Sequence, residues 1–222
     1  MYPIQNADGH VGITKREYPI AANTAIRTGQ VVQLSGGKVI SAVAAQTGAI
    51  LGVAGENHPG VADALNPRAD GERIFVCDSP YLMFECPVPV FTAASGSATT
   101  VVLSSLASAL ADDSLNNGML VLKEKAAESG NTDPLGKEIP IADYTKSGTV
   151  ITKASGGTPS AGDKYELYPP IGSAVAALDS TLFSHLVLTA SGATAIRVVG
   201  WDTERGMLRC MAALHTLAVD KN

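Results

Sequence analysis

The sequence is short of charge: of 222 residues only 17% are Asp, Glu, Lys or Arg, against about 25% in ordinary soluble proteins. What charge there is leans acidic, 21 Asp+Glu against 16 Lys+Arg. That excludes a general attraction to phosphate backbones, which nucleic-acid binders build from clustered Lys and Arg. No run of about 18 uninterrupted apolar residues occurs, so no helix is expected to span a bilayer. The start, Met1 to His10, has neither a basic stretch nor an apolar one, so no secretory signal is expected. Cysteine is scarce and odd in number: Cys77, Cys86 and Cys210 lie in apolar, strand-like surroundings. That pattern favours buried thiols in a protein made in a reducing cytoplasm over a disulfide framework.

Catalytic signatures are missing as well. There is no G-x-S-x-G, no H-E-x-x-H and no G-x-x-x-x-G-K-[ST]. The nearest phosphate-loop lookalike, Gly130–Lys137, has five residues between its glycines and Glu138 where a hydroxyl residue is needed. His10, His58, His185 and His215 stand alone, with no partner at ligand spacing, so no metal site is expected. Asp112-Asp113 sits in a polar turn and reads as a solvated pair rather than an acid–base couple. No catalytic residue, cofactor or metal follows from this inventory.

What the chain does have is small and β-branched residues, 22 Gly and 12 Pro. Thr28–Leu34 and Lys38–Val43 flank Gly36-Gly37, a hairpin by the positive φ that tight turns demand. Further strands are read at Ala49–Ala54, Arg73–Cys77, Tyr81–Cys86, Met119–Leu122, Gly148–Thr152, Lys164–Tyr168, Thr194–Trp201 and Met207–His215. Pro87 and Pro89 should end the Tyr81 strand or keep it at an edge. Leu103–Leu110 is the expected short helix. Residues 1–17 show no apolar period and read as an extended arm, and a change to small, flexible residues near Phe91–Ser97 suggests a boundary. The fold class is therefore mainly β: a small barrel-like domain over 18–92, then a second β-rich domain over 93–222 with one or two short helices. The apolar run Met207–Leu217 implies a strand covered on both faces. Trp201, the only tryptophan, suits core packing better than an interface.

Thr28-Gly29-Gln30-Val31-Val32, the Gly36-Gly37-Lys38-Val39-Ile40 hairpin and Gly48-Ala49-Ile50-Leu51-Gly52-Val53-Ala54 together resemble the opening β-barrel of tailed-bacteriophage head decoration (capsid cement) proteins. The resemblance covers about residues 18–91. It implies a small β-barrel or β-tulip and a non-enzymatic virion structural protein. Such a protein is made in the host cytoplasm and bound to the outer surface of an icosahedral capsid, where it bridges major capsid subunits, as a homotrimer. The arm supplies the candidate partner contacts, Tyr2, Pro3, Ile4, Gln5, His10, Val11 and Ile13, because an extended terminus can add a strand to a neighbour's sheet edge. The alternative within the virion is a tail, neck or head-fibre component. A capsid shell subunit would need a long spine helix, of which there is no sign. An enzyme or sugar-binding barrel would need a clustered cleft or exposed aromatics, and aromatics are only 5% of the chain.

Overall fold

A computed structural model describes residues 2–6, 15–42, 49–59, 72–79, 81–104, 106, 110–177, 186–188 and 196–212. Among these residues there are strands and turns but no helix. In chain order the strands are β1 (Tyr2–Asn6), β2 (Lys15–Pro19), β3 (Ala25–Ile26), β4 (Val31–Ser35), β5 (Lys38–Ser41), β6 (Gly52–Ala54), β7 (His58–Pro59), β8 (Arg73–Cys77), β9 (Leu82–Pro87) and β10 (Val90–Gly96). They continue as β11 (Thr100–Ser104), β12 (Met119–Glu124), β13 (Glu138–Thr145), β14 (Val150–Lys153), β15 (Lys164–Tyr168), β16 (Ala174–Ala177), β17 (Leu186–Leu188), β18 (Ile196–Asp202) and β19 (Met207–Ala212).

Three sheets carry the fold. The first has the order β2-β8-β6-β4-β5, and its two ends meet where Ile20, just past β2, bridges to Val39 in β5. The Ala21 amide donates to the Val39 carbonyl at 3.1 Å there. This curl surrounds a small core of Ile20, Ile26, Val32, Val39, Leu51, Ala54, Ile74 and Val76. The hairpin expected around Gly36-Gly37 is β4–β5: Ser35 pairs with Lys38. The two turn glycines have φ of 57° and 77°, the left-handed pair that a twist-matched two-residue turn requires. The second sheet is a closed barrel, β10-β11-β14-β13-β12-β15. The third is open, β1-β9-β19-β18-β16-β17, so the chain leaves it after β9, builds the closed barrel and returns.

Alternation along the strands explains how the sheets join. Val32, Val76, Leu120, Leu122, Tyr165 and Leu167 point into the two small cores. Their neighbours Val31, Cys77, Val121 and Tyr168 point the other way, into a cluster with Phe84, Cys86, Val198, Leu208 and Cys210 of the open sheet. Successive strand side chains face opposite sides, so a strand apolar at every position serves two cores at once. The continuous apolar runs have this cause.

Several expectations need correction. Leu103 lies in β11, Leu106 and Leu110 are buried without helical backbone, and residues 105 and 107–109 fall outside the described set. The hydrophobic spacing there serves the barrel interior instead. The stretch read as a flexible boundary is β10, so the division at 92/93 passes through a strand of the closed barrel. Residues 1–17 are not a uniform arm: Tyr2–Asn6 pair with β9, and Lys15–Glu17 belong to β2 beside β8. Strand β9 does end at Pro87, yet it sits between β1 and β19 rather than at an edge. Strand β19 is covered on one face only, by Leu208 and Cys210; the Arg209 side chain on the other face is 45% exposed.

Candidate functional site

The N-terminal residues singled out above divide in the structure. Tyr2, Pro3, Ile4 and Gln5 form β1; His10, Val11 and Ile13 lie outside the described residues. Strand β1 runs antiparallel to β9 in the register Tyr2↔Glu85, Pro3↔Phe84, Gln5↔Met83 and Asn6↔Leu82, with a shift between Pro3 and Gln5. It is the edge of the open sheet, and no strand among the described residues pairs with its other side.

Beside it on β9, Glu85 is a buried carboxylate inside a charged cluster that the sequence did not announce. Arg205 Nη1 lies 2.9 Å from Glu85 Oε2, and Arg209 Nε lies 3.4 Å from Oε1. Asp202 Oδ2 sits 3.7 Å from Arg205 and 3.6 Å from Arg209. Register places Glu85 opposite Arg209, two charged residues on otherwise apolar strands. Alternation could have flagged each residue, but not the pairing.

Two buried polar networks pin the loops at one end of the closed barrel. Asp163, fully buried, accepts from the Ala126 amide at 2.9 Å, the Ser160 amide at 3.0 Å and Asn131 Nδ2 at 3.0 Å. Burial alone would raise its carboxyl, but these bonds and one from Ser129 outweigh it and hold the group below the usual carboxylate range. Asn131 Nδ2 also donates to the Tyr165 hydroxyl at 2.9 Å. Burial, with the Asp163 charge adding to it, pushes that phenol up to about 12. In the second network, Asp133 takes Lys137 Nζ at 2.6 Å on one oxygen and the Gly157 amide at 2.7 Å on the other. Burial opposes its ionisation, yet these partners hold it below the usual range. Buried Lys153 donates to the Gly157 carbonyl at 2.6 Å, and desolvation lowers its ammonium. The lone pairs of both aspartates are directed at loop donors, which is the work of a clamp.

An open cleft of about 480 Å³ lies where the closed barrel meets the β18–β19 turn, lined by Lys123, Leu135, Glu138, Glu166 and Glu204 among others. Glu166 is buried beneath it, held by Lys123 Nζ at 2.8 Å and the Tyr168 hydroxyl at 2.9 Å. Trp201 Nε1 donates to the Pro169 carbonyl at 2.8 Å, and its ring meets Tyr168 edge-on at 6.2 Å. Trp201 thus packs against the core as expected, with its polar tip satisfied.

The other residues weighed as chemical have structural partners. His58 is buried, with Nδ1 3.1 Å from the Thr24 carbonyl and Nε2 3.3 Å from Glu72 Oε2. His10, His185 and His215 lie outside the described residues. Asp78, buried after β8, accepts from the Tyr18 hydroxyl and lies 3.5 Å from Arg16 Nε. Burial, then the bond to Asp78, pushes Tyr18 up to about 12. Among the described residues no group of three His, Cys, Asp or Glu could hold a metal ion.

All three cysteines are free and buried. Cys77 and Cys86 belong to different sheets; Cys86 faces Leu208 across the β9–β19 ladder, and Cys210, two residues further along β19, shares its buried cluster. The hydrogen bond between the Cys86 and Cys210 thiols, reinforced by burial, raises Cys210 well above its ordinary value. Burial raises Cys77 too. Thiolate is the reactive form, so a disulfide-exchange reagent should label none of the three in the folded protein and all three in guanidinium chloride. Prompt labelling of the native protein would contradict their placement.

Comparison with protein-family models, curated proteins and solved structures found no match for this chain.

Proposed function

We propose that the protein is a non-enzymatic structural component of a tailed-phage virion, binding the outside of the capsid as a homo-oligomer, with a trimer favoured, and bridging neighbouring major capsid subunits. The observation that carries this reading is the architecture of the segment bearing the decoration-protein pattern. Val31-Val32, Gly36-Gly37 and Gly52-Val53-Ala54 build a small, nearly closed barrel over residues 15–78. Strand β1 supports it further. Its outer side is open among the described residues, and a shell subunit's strand can extend the sheet there through backbone hydrogen bonds. The candidate contacts remain Tyr2, Pro3, Ile4 and Gln5 on β1, with His10, Val11 and Ile13 following. Each contact is modest, and an oligomer touching several subunits gains roughly 10²–10⁴ in avidity.

Co-sedimentation with expanded, undecorated phage heads tests this. Binding should saturate at a fixed number of copies and raise the heads' resistance to heat. A variant lacking residues 1–6 should bind more weakly with its β signal intact. The deletion stops there because residues from Lys15 onward form β2 of the first barrel. If the folded full-length protein leaves heads untouched while assembling into rings or fibres alone, the tail, neck or head-fibre reading takes its place.

A further inference from the structure

Strand β1 is attached to its sheet by one neighbour and by a poor ladder. Of its five residues, Pro3 has no amide hydrogen to donate. The register shift between Pro3 and Gln5 breaks the pairing again in mid-strand. Strands β18 and β19 also have a register shift, between Val198 and Gly200, but share six registered pairs against the four of β1 and β9. The next strand along the chain, β2, is in a different sheet altogether. Eight residues, 7–14, join the two, a length that can reach up to about 27 Å when extended. Removing β1 from β9 therefore breaks only a short ladder and disturbs no other strand pairing among the described residues.

The edge it would uncover matters more. Strand β9 carries Leu82, Met83, Phe84 and Cys86, and an unpaired apolar edge is a template for pairing with another chain. The strand best matched to that edge is β1 of a second copy, which makes the same contacts in the same register.

We infer that β1 is an exchangeable strand, and that the oligomer is held together by β1 of one copy pairing with β9 of a neighbouring copy. Because exchanged and closed forms make identical strand contacts, the balance between them is set by the connecting segment and by protein concentration. A second copy is favoured over another protein because, among the described residues, β9 is the strand that pairs with β1. The inference names the device behind the oligomer in the proposed function, but needs no capsid to operate.

The test uses the full-length protein without heads. Gln5 and Met83 are registered partners, and facing residues on antiparallel strands lie at separations a disulfide can span. The double variant Gln5→Cys/Met83→Cys, oxidised mildly in its oligomeric fraction, should give covalent multimers on a non-reducing denaturing gel, and neither single variant should. A cross-link confined to single chains overturns the inference. Deleting residues 1–6 gives an independent reading by analytical ultracentrifugation. The oligomer should be lost while the β signal in circular dichroism is kept. An oligomer of unchanged size after deletion, or a full-length protein that is monomeric at every concentration, also overturns it. A protein that exchanges strands yet ignores phage heads would sink the proposed function and leave this inference standing.

Discussion

Gly52→Ala should prevent the first barrel from forming. A Cβ at this position would lie 2.0 Å from the Cys77 carbonyl oxygen and 2.9 Å from its carbon. Backbone cannot swing aside as a flexible side chain can. Strands β6 and β8, paired at Val53↔Cys77 and Ala54↔Val76, would have to part by about an ångström. That separation opens the core around Val53, Ala54 and Val76, each at most 2% exposed. Ordinary overpacking costs about 1–3 kcal/mol; forcing two strands apart belongs with the exceptional losses of roughly 4–5 kcal/mol. Total stability is about 5–15 kcal/mol, so the variant should be largely insoluble or unfold at far lower urea. Gly55→Ala is the control, since its Cβ would come no closer than 3.4 Å to the Phe75 carbonyl, and it should change stability by less than about 1 kcal/mol. Equal unfolding curves for Gly52→Ala and the parent would mean that β6 and β8 are not this close.

Asp163→Ala should be the costliest substitution in the closed barrel. It strands the Ala126 amide, the Ser160 amide and one of the two hydrogens on Asn131 Nδ2, the other staying with the Tyr165 hydroxyl. Each buried donor left unpaired costs about 1–3 kcal/mol, and the losses overlap. A total of about 3–5 kcal/mol corresponds to a fall in Tm of roughly 6–20 °C for a chain of this size. The effect should also depend on pH. Asp163 ionises below its ordinary range when folded, whereas in the unfolded chain it titrates near about 3.9. Its charge therefore stabilises the fold fully above the unfolded value, and that contribution is lost as pH falls through the lower, folded one. The parent and Asp163→Ala should differ most at neutral pH and converge in acid. A gap in Tm that stays constant as the pH falls would mean that the charged form of Asp163 is not what holds the loops.

Gly52 also shows what a sequence displays and what it hides. Strands with β-branched alternation between turn residues, such as β8 and β15, were legible to the residue. So was the glycine hairpin, because its chemistry is local. Strand β13 was not, although its burial alternates from Glu138 to Ala142. Pro140 stands in its middle and reads as a breaker, yet it lies on the exposed side, and its carbonyl accepts from the Ala154 amide at 3.2 Å. Strand β10 was hidden by small residues whose pairing with β11 and β15 supplies what propensity does not. Strands β1 and β2 pair through backbone, which every residue carries, so nothing in their side chains announces a sheet. The Glu85–Arg209 pair joins residues 124 apart in the chain; no spacing rule links them. For the same reason, the candidate edge could be placed at the N-terminus from sequence, but not assigned to β9.

The detour between β9 and β19 has a consequence for synthesis. Cys86 and its neighbour Leu208 are 122 residues apart. At about 5–20 residues per second, the ribosome needs roughly 6–24 s to deliver the second after the first. Throughout that wait the closed barrel, with all its strands contained between, is free to fold by itself. The open sheet must stay unfinished, with β9 lacking its permanent inner neighbour. The strand already made that fits β9 is β1. Strand β1 covers the opposite side of β9 from the one β19 will take, so one edge of β9 rather than two stays open until the tail arrives. A chain lacking residues 1–6 should give a lower soluble yield, while the fraction that folds keeps its β signal.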